Sequence, residues 1–284
     1  MTQAQPTGFT RLAAVIGHPV RHSLSPALFN AAFAATGLDW TYVALDVDPD
    51  DGESAVRAVR HLGLGGMSVT MPHKEAAARA CDRLTETATV LGAVNCVVTE
   101  NGGLVGDSTD GPGLVAALRA EGHDPADGRC VVIGAGAAAR AIVHALGRAG
   151  AAEVVVVARR PEAAARAAAV TGVGRVGSQE EVGTVDLVCN ATSVGMNGTD
   201  GAGQSPVAVE LLRPGQVVVD IVYHPLDTPL LGAARAAGAT AVGGVGMLVH
   251  QAALAFEAWT GVDAPVSDMR AAAAAAIEAR GAAS

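Results

Sequence analysis

Membrane-length apolar runs, basic residues in excess, cysteine pairs and aromatic side chains are all scarce here, and each shortage narrows the possibilities. No apolar stretch approaches the ~18 residues needed to cross a bilayer, and no basic-then-apolar leader opens the chain. The expectation is a soluble, cytoplasmic protein. Lys and Arg number 19 against 28 Asp and Glu, a formal net charge of −9. That sign works against nucleic acid and anionic membrane as partners, so a small anionic ligand would need a local positive site. The four cysteines, Cys81, Cys96, Cys130 and Cys189, are scattered without a C-x-x-C pattern. Three lie in or beside apolar patterns, which predicts buried thiols rather than disulfides or a metal site. His18, His22 and His73 also lack metal-ligand spacing, so no metal is expected. Charged residues make up only 17% and hydrophobic ones 50%, with alanine prominent among them. The predicted core is therefore globular and built from small side chains. A length of 284 residues suggests two domains, taking ~150 residues for each.

Against these absences stands the stretch 129–140, RCVVIGAGAAAR. Its apolar start reads as a buried strand (130–133), followed by a glycine turn and a helix (137–149) that Gly150 stops. Gly134-x-Gly136-x-x-Ala139 fits the fingerprint of a dinucleotide-binding βαβ unit. The first glycine permits the turn, and the second lets the backbone approach a pyrophosphate. The third small residue lets helix pack on strand, and the helix N-terminus offers free N–H groups to the phosphates. A second buried strand (153–158) runs into Arg159 and Arg160. An NAD site usually carries Asp or Glu there, about 20 residues past the fingerprint, to hold the ribose 2′-hydroxyl. Two arginines suit the 2′-phosphate of NADP instead; the plainer alternative is a solvated strand end. The sequence thus predicts NADP(H) as cofactor.

Ahead of the fingerprint, alternating strands and helices predict a separate α/β domain with a mainly parallel sheet. Strands are expected at 12–17, 40–47 and 66–70. A helix at 25–36 would have Ser25 as N-cap, Pro26 at its first position and Gly37 as its stop. Further helices are expected at 50–62, 74–80 and 86–91. A hairpin (95–99 and 104–106) would turn at Asn101-Gly102. The breaker-rich stretch 106–112 leads to a helix at 113–121 and puts the first boundary near residue 110. Beyond the fingerprint come a helix after Pro161, strands at 185–189, 216–222 and 240–242, and a helix capped by Thr228-Pro229. Two last helices, at 247–259 and 266–280, suit a return to the first lobe. The predicted division is 1–110 with 246–284, and 111–245 as the dinucleotide domain.

A bound nicotinamide serves hydride transfer. A ketone being reduced needs a proton donor at its carbonyl oxygen, and the reverse oxidation needs a base. Lys74 is the best candidate, because it follows a strand and a proline turn, where ligand-facing residues gather in α/β proteins. A surface lysine at a helix start is the alternative. Asp110, at the expected hinge, could partner that lysine or hold a substrate hydroxyl; it could equally cap the 113–121 helix. Ser23 and Ser25 could bond a carboxylate or hydroxyls, unless Ser25 is only an N-cap. Asn95 could line the site or merely begin a strand.

Taken together, several stretches resemble the shikimate dehydrogenase family over nearly the whole chain. They are Gly17-His-Pro-Val-Arg-His-Ser-Leu-Ser-Pro26, Ser68-Val-Thr-Met-Pro-His-Lys74 and Gly92-Ala-Val-Asn95. They continue with Gly106-Asp-Ser-Thr-Asp-Gly111, the fingerprint, Asn190-Ala-Thr-Ser193, Tyr223-His-Pro225 and Gly246-Met-Leu-Val-His-Gln251. The resemblance implies two α/β lobes, an N-terminal substrate domain and a Rossmann-like NADP-binding domain, with the C-terminal helices returning to the first. It implies NADPH-dependent reduction of 3-dehydroshikimate to shikimate, in aromatic amino-acid biosynthesis. By this analogy Lys74 and Asp110 are the catalytic pair. Ser23 and Ser25 would meet the substrate carboxylate, with Thr70, Asn95 and Gln251 on the hydroxyl side and Tyr223 also lining the substrate. Gly134, Ala135, Gly136, Ala137 and Ala138 would cradle the pyrophosphate, with Arg159, Arg160, Ile221 and Gly244 also on the cofactor. The chain departs from the family pattern in four places. Ser68 and Ser108 stand where Asn is frequent, the arginine loop reads Ala158-Arg159-Arg160, and Ala163 replaces a further basic residue.

Three alternatives make different demands. An NAD-linked quinate/shikimate dehydrogenase would place an acid at the end of the 153–158 strand, and none is there. A non-catalytic NADP-binding regulator would lack Lys74 or Asp110, and both are present. A folate dehydrogenase fits poorly with Ser23, Ser25, Tyr223 and Gln251. The expected partner is a small-molecule substrate, with no nucleic acid or membrane, and the expected state a monomer or homodimer.

Overall fold

Runs of valine and isoleucine bounded by glycine fold as strands here, because branched side chains pack well on a pleated surface. The computed structural model describes residues 5–281. The chain divides into two compact units, one ending at Thr109 and resumed from Val249, the other Asp110–Leu248.

The first unit begins with β1 (Arg11–Gly17), α1 (Ser25–Thr36), β2 (Trp40–Asp46), α2 (Gly52–Leu62), β3 (Gly66–Val69) and α3 (Lys74–Ala80). It continues with β4 (Arg83–Leu84), α4 (Glu86–Leu91), β5 (Cys96–Glu100) and β6 (Gly103–Asp107). Its sheet runs β2-β1-β3-β5-β6-β4. The β1 strand is parallel to both β2 and β3, but β3–β5 and β5–β6 are antiparallel. The sheet is therefore mixed, with parallel pairings in the majority, since β4 also runs parallel to β6. The cause is the hairpin at Asn101-Gly102, where both residues take positive φ (50° and 79°), the conformation a two-residue turn needs to reverse twisted strands. The two-residue β4 is too short to show any periodicity in the sequence.

The second unit holds α5 (Asp110–Ala120), β7 (Arg129–Ile133), α6 (Ala137–Arg148), β8 (Glu153–Val157), α7 (Pro161–Ala168) and β9 (Gly174–Val176). Then follow β10 (Leu187–Asn190), β11 (Val217–Asp220), α8 (Pro229–Ala236) and β12 (Thr240–Gly243). The helix α9 (Val245–Thr260) runs out of this unit, and α10 (Val266–Gly281) lies in the first. The sheet order is β12-β11-β10-β7-β8-β9, every neighbour parallel. The order reverses between β7 and β10, a topological switch point where ligands bind outside the carboxyl ends of such sheets.

Side chains alternate across this sheet. Val132, Val154 and Val156 face a cluster with Ile142 and Leu146 of α6. Val131, Ile133 and Val155 face the opposite cluster with Leu230 of α8. Neither cluster contains an aromatic side chain. The aromatics gather in the first unit, where Phe29, Phe33, Trp40, Tyr42, Phe256 and Trp259 stack or tilt against one another. Burying each such ring stabilises the fold by roughly 1.5–3 kcal/mol. The Trp259 indole N–H also donates to the Val97 carbonyl at 3.1 Å, tying α9 to β5.

Candidate active site

In the first unit, the loop after β1 carries Ser23 and Ser25. The sequence suggests Ser25 as the N-cap of α1; in the structure Leu24 holds that place, without a side-chain bond, and Ser25 is the first helical residue. Ser23 supplies the local bond instead, its Oγ accepting from the Ser25 N–H at 3.2 Å. The Ser25 hydroxyl is thus released from capping, and it is buried. The loop is held from the far end of the chain. Arg280 on α10 donates to the His22 carbonyl at 2.7 Å and the Ser23 carbonyl at 3.2 Å. No sequence signal marks Arg280, since its acceptors are backbone atoms more than 250 positions away.

The β3 strand ends beside this loop. Thr70 N–H donates to the Ile16 carbonyl at 2.9 Å, and the Thr70 carbonyl accepts from His73 N–H at 2.9 Å. That turn delivers Lys74 to the first position of α3, half-buried. Its backbone carbonyl accepts from Val94 N–H at 2.9 Å, fixing α3 against the segment before β5. Lys74 is also the only lysine in the chain; every other basic residue besides histidine is arginine. That singularity is a further sequence signal for it.

Asn95 is 4% exposed and fully engaged. Its Oδ1 accepts from Thr109 N–H at 2.7 Å. Its amide donates to Thr109 Oγ1 at 2.9 Å and to Gln251 Oε1 at 3.3 Å. The first unit therefore brings together Asn95 and Gln251 directly, and Thr70 with the β1 end.

In the second unit, Asp110 is buried and opens α5. The helix begins three residues before the expected Gly113, so Asp110 is inside its first turn rather than ahead of it.

The parallel register sets the cofactor residues. Ile133 pairs with Val157 and with Asn190, Asn190 with Asp220, and Asp220 with Gly243. The strands thus end in one row, and the next residues are Gly134, Ala191, Ile221 and Gly244. A Cβ on Gly244 would lie 2.3 Å from the Ile221 carbonyl oxygen, so these two cofactor candidates are in contact. Gly134 has φ +120°, and a Cβ there would meet the Ala191 carbonyl oxygen at 2.9 Å. The fold itself requires that glycine. Gly136 differs: it is exposed, N-caps α6, and a Cβ would meet no protein atom within 4 Å. Only an approaching ligand would find glycine necessary there. The α6 N-terminus has no side-chain cap and no acid in its first turn, which leaves its N–H groups and positive dipole end to an anion.

Arg159 and Arg160 follow β8 and are exposed; among the described residues neither side chain makes a hydrogen bond or ion pair. Arg129 and Arg175 of the same sheet are both committed to Glu153. Two uncommitted guanidiniums beside a nucleotide-type glycine turn fit the phosphate of a dinucleotide. Ala163 is buried in α7, which shows that this helix position packs inward.

A buried polar knot holds the β10 and β11 ends. The Asn190 amide donates to Asp220 Oδ1 at 2.9 Å, and Thr228 Oγ1 donates to Asp220 Oδ2 at 2.7 Å. Val222 N–H also donates to Asp220 Oδ1, at 3.0 Å, which orients the segment leading to half-buried Tyr223. Burial pushes the Asp220 carboxyl up, against the pull of Thr228, Val222 and Asn190. The thiols are unsuited to nucleophilic work. Burial raises all four, Cys81 to about 11 and Cys130 to about 12. Among the described residues no group of three or more His, Cys, Asp or Glu could hold a metal ion, and no helix is long and apolar enough to cross a membrane.

Comparison with known proteins identifies the family. Residues 15–97 match the shikimate dehydrogenase substrate binding domain, and residues 244–274 match the shikimate 5′-dehydrogenase C-terminal domain. The NADP-dependent shikimate dehydrogenase of Moorella thermoacetica is 44% identical over 271 residues, covering 92% of this chain and 91% of its own. That of Rubrobacter xylanophilus is 46% identical over 273 residues, covering 93% and 95%. Among solved structures, shikimate 5-dehydrogenase from Thermus thermophilus, in complex with NADP(H) and shikimate, is 39% identical with a TM-score of 0.88. It covers 94% of this chain and 100% of its own. Identity at this level over nearly full length, on the same two-unit α/β fold, places the chain in the shikimate dehydrogenase family.

Proposed function

We propose that this protein catalyses the reversible NADPH-dependent reduction of 3-dehydroshikimate to shikimate, in aromatic amino-acid biosynthesis. The unit ending at Thr109 and resumed from Val249 takes the substrate, and Asp110–Leu248 takes the cofactor. Lys74 carries the proton. In reduction its Nζ gives a proton to the carbonyl oxygen of the ketone, and in oxidation it takes one back from the hydroxyl. Asp110 is the second catalytic residue and holds a substrate hydroxyl. Ser23 and Ser25 bind the carboxylate; Thr70, Asn95 and Gln251 bind hydroxyls, and Tyr223 lines the substrate.

NADP(H), when bound, supplies or accepts the hydride. Gly134–Ala138 hold its pyrophosphate on backbone N–H groups, Arg159 and Arg160 its 2′-phosphate, and Ile221 and Gly244 shape its nicotinamide end. The protein acts in the cytoplasm as a monomer or homodimer.

One observation carries this function: the only lysine of a chain that otherwise uses arginine is held at the end of the β3 turn, in a member of this family. The test is to incubate the protein with 3-dehydroshikimate and NADPH and identify the product by chromatography. Stoichiometric shikimate is expected; unchanged 3-dehydroshikimate would contradict it.

A further inference from the structure

Tyr42 lies on β2 with its ring stacked on Phe29, centroids 4.3 Å apart and planes within 7°. Trp259 packs on the same stack. The side chain is 2% exposed, yet its hydroxyl has no hydrogen-bond partner. Its backbone is fixed from α1: the Asn30 amide donates to the Tyr42 carbonyl at 3.0 Å, and Tyr42 N–H donates to Asn30 Oδ1 at 2.8 Å. The ring is thus locked by stacking and by strand-edge bonds, and a phenylalanine would do all of that packing. A buried hydroxyl that forgoes its bond to water is unfavourable unless something else bonds it.

Its surroundings indicate what that is. Burial raises the Tyr42 phenol, and Ser68 and Ser25 stand close enough to pull the other way, though neither completes a hydrogen bond. The phenol therefore stays a proton donor at neutral pH. Among the described residues no hydrogen bond engages the hydroxyl of Ser25, Ser68 or Thr70. Ser68 and Thr70 are two apart around the end of β3 and so share a side of the strand. The Tyr42 phenol and its neighbours Ser25 and Ser68 bring hydroxyl donors from α1, β2 and β3 together, a set suited to an anionic oxygen pair. No basic side chain is needed in such a pocket, since hydrogen bonds to a charged acceptor are stronger than neutral ones.

We propose that the Tyr42 hydroxyl is a substrate-binding group, donating to the substrate carboxylate beside Ser25 and Ser68. The inference rests on the function proposed above and adds a specificity residue to it: Tyr42 selects a ring bearing a carboxylate over one bearing an uncharged group.

The test compares wild type with Tyr42→Phe, using shikimate and its methyl ester as substrates, with thermal melting in parallel. The variant should melt no lower than wild type. Its KM for shikimate should rise about tenfold, the loss of one charge-assisted hydrogen bond. Its kcat should stay within about twofold and its KM for NADP unchanged, as expected for uniform binding. The methyl ester, lacking the charge, should lose much less. An unchanged KM for shikimate overturns the proposal, as does an equal loss on acid and ester. A variant that fails to fold overturns it too, because the phenol would then have a structural partner. Absence of shikimate turnover by the wild-type protein is a separate result: it overturns the proposed function and this inference with it.

Discussion

Asn95 donates its side-chain amide to the Gln251 side-chain carbonyl at 3.3 Å, joining residues 156 positions apart. The bond ties the start of β5 to the second turn of α9. Asn95 also anchors Thr109, accepting from its N–H and donating to its Oγ1, so a change at Gln251 leaves that anchor in place.

Replacing Gln251 by Ala should therefore weaken substrate binding with little effect on the fold. We expect KM for shikimate to rise about tenfold, one to two hydrogen bonds' worth, while KM for NADP stays unchanged. Steady-state kinetics with each substrate varied in turn checks this. A matched rise in both constants would show that the residue supports the whole structure instead.

Lys74→Ala and Lys74→Arg separate proton transfer from charge. The alanine variant should lose several orders of magnitude in kcat, with cofactor affinity nearly unchanged. The arginine variant keeps a cation but cannot release a proton, and its kcat should fall almost as far. Recovery of most activity by arginine would assign Lys74 a purely electrostatic role.

Two glycines of the fingerprint should behave oppositely. Gly134→Ala forces a side chain into φ +120° against the Ala191 carbonyl, and should destabilise the fold by roughly 1–3 kcal/mol. Gly136→Ala meets no protein atom and should lose at most about 1 kcal/mol, the weaker cap. Its defect should instead be a KM for NADP raised tenfold or more. Urea unfolding and cofactor titration on both variants provide the comparison.

Much of this was legible in the sequence. The valine runs at 130–133 and 154–157 and the Asn101-Gly102 turn gave the strands, and the fingerprint pointed to a dinucleotide-binding unit. The sequence puts the start of α5 at Gly113, three residues late, because Gly111 and Pro112 read as breakers. In the structure Pro112 sits in the first turn, where a missing N–H is tolerated, and Gly111 allows close packing on Ala141 of α6. The short β4 and β9 lack the length for any period to emerge. Arg280 and Tyr42 were invisible for another reason: their roles depend on backbone carbonyls and hydroxyls brought close only by folding.

An ion-pair network at the other end of the second sheet should govern acid stability. Glu153 is bonded by Arg175 at 2.7 Å and Arg129 at 3.0 Å, linking β7, β8 and β9. Those arginines hold its carboxyl down to about 2, from an ordinary 4.5. The folded-state value is depressed, so the contribution is complete above about 4.5 and fades as pH falls towards about 2. Glu153→Gln should cost on the order of 1 kcal/mol at neutral pH, since the network is partly solvated. Its stability should then vary less than wild type across that acid window, as measured by urea unfolding. Parallel curves for the two proteins would contradict this.

The most direct measurement is the initial rate of nicotinamide reduction with shikimate, with NADP and NAD compared side by side in wild type and Arg159→Ala. We expect strong turnover with NADP, much weaker turnover with NAD, and a variant whose KM rises far more for NADP than for NAD. Preference for NAD, or equal effects of the substitution on both cofactors, would contradict the assignment of Arg159 and Arg160 to the 2′-phosphate. No turnover with either would contradict the function itself.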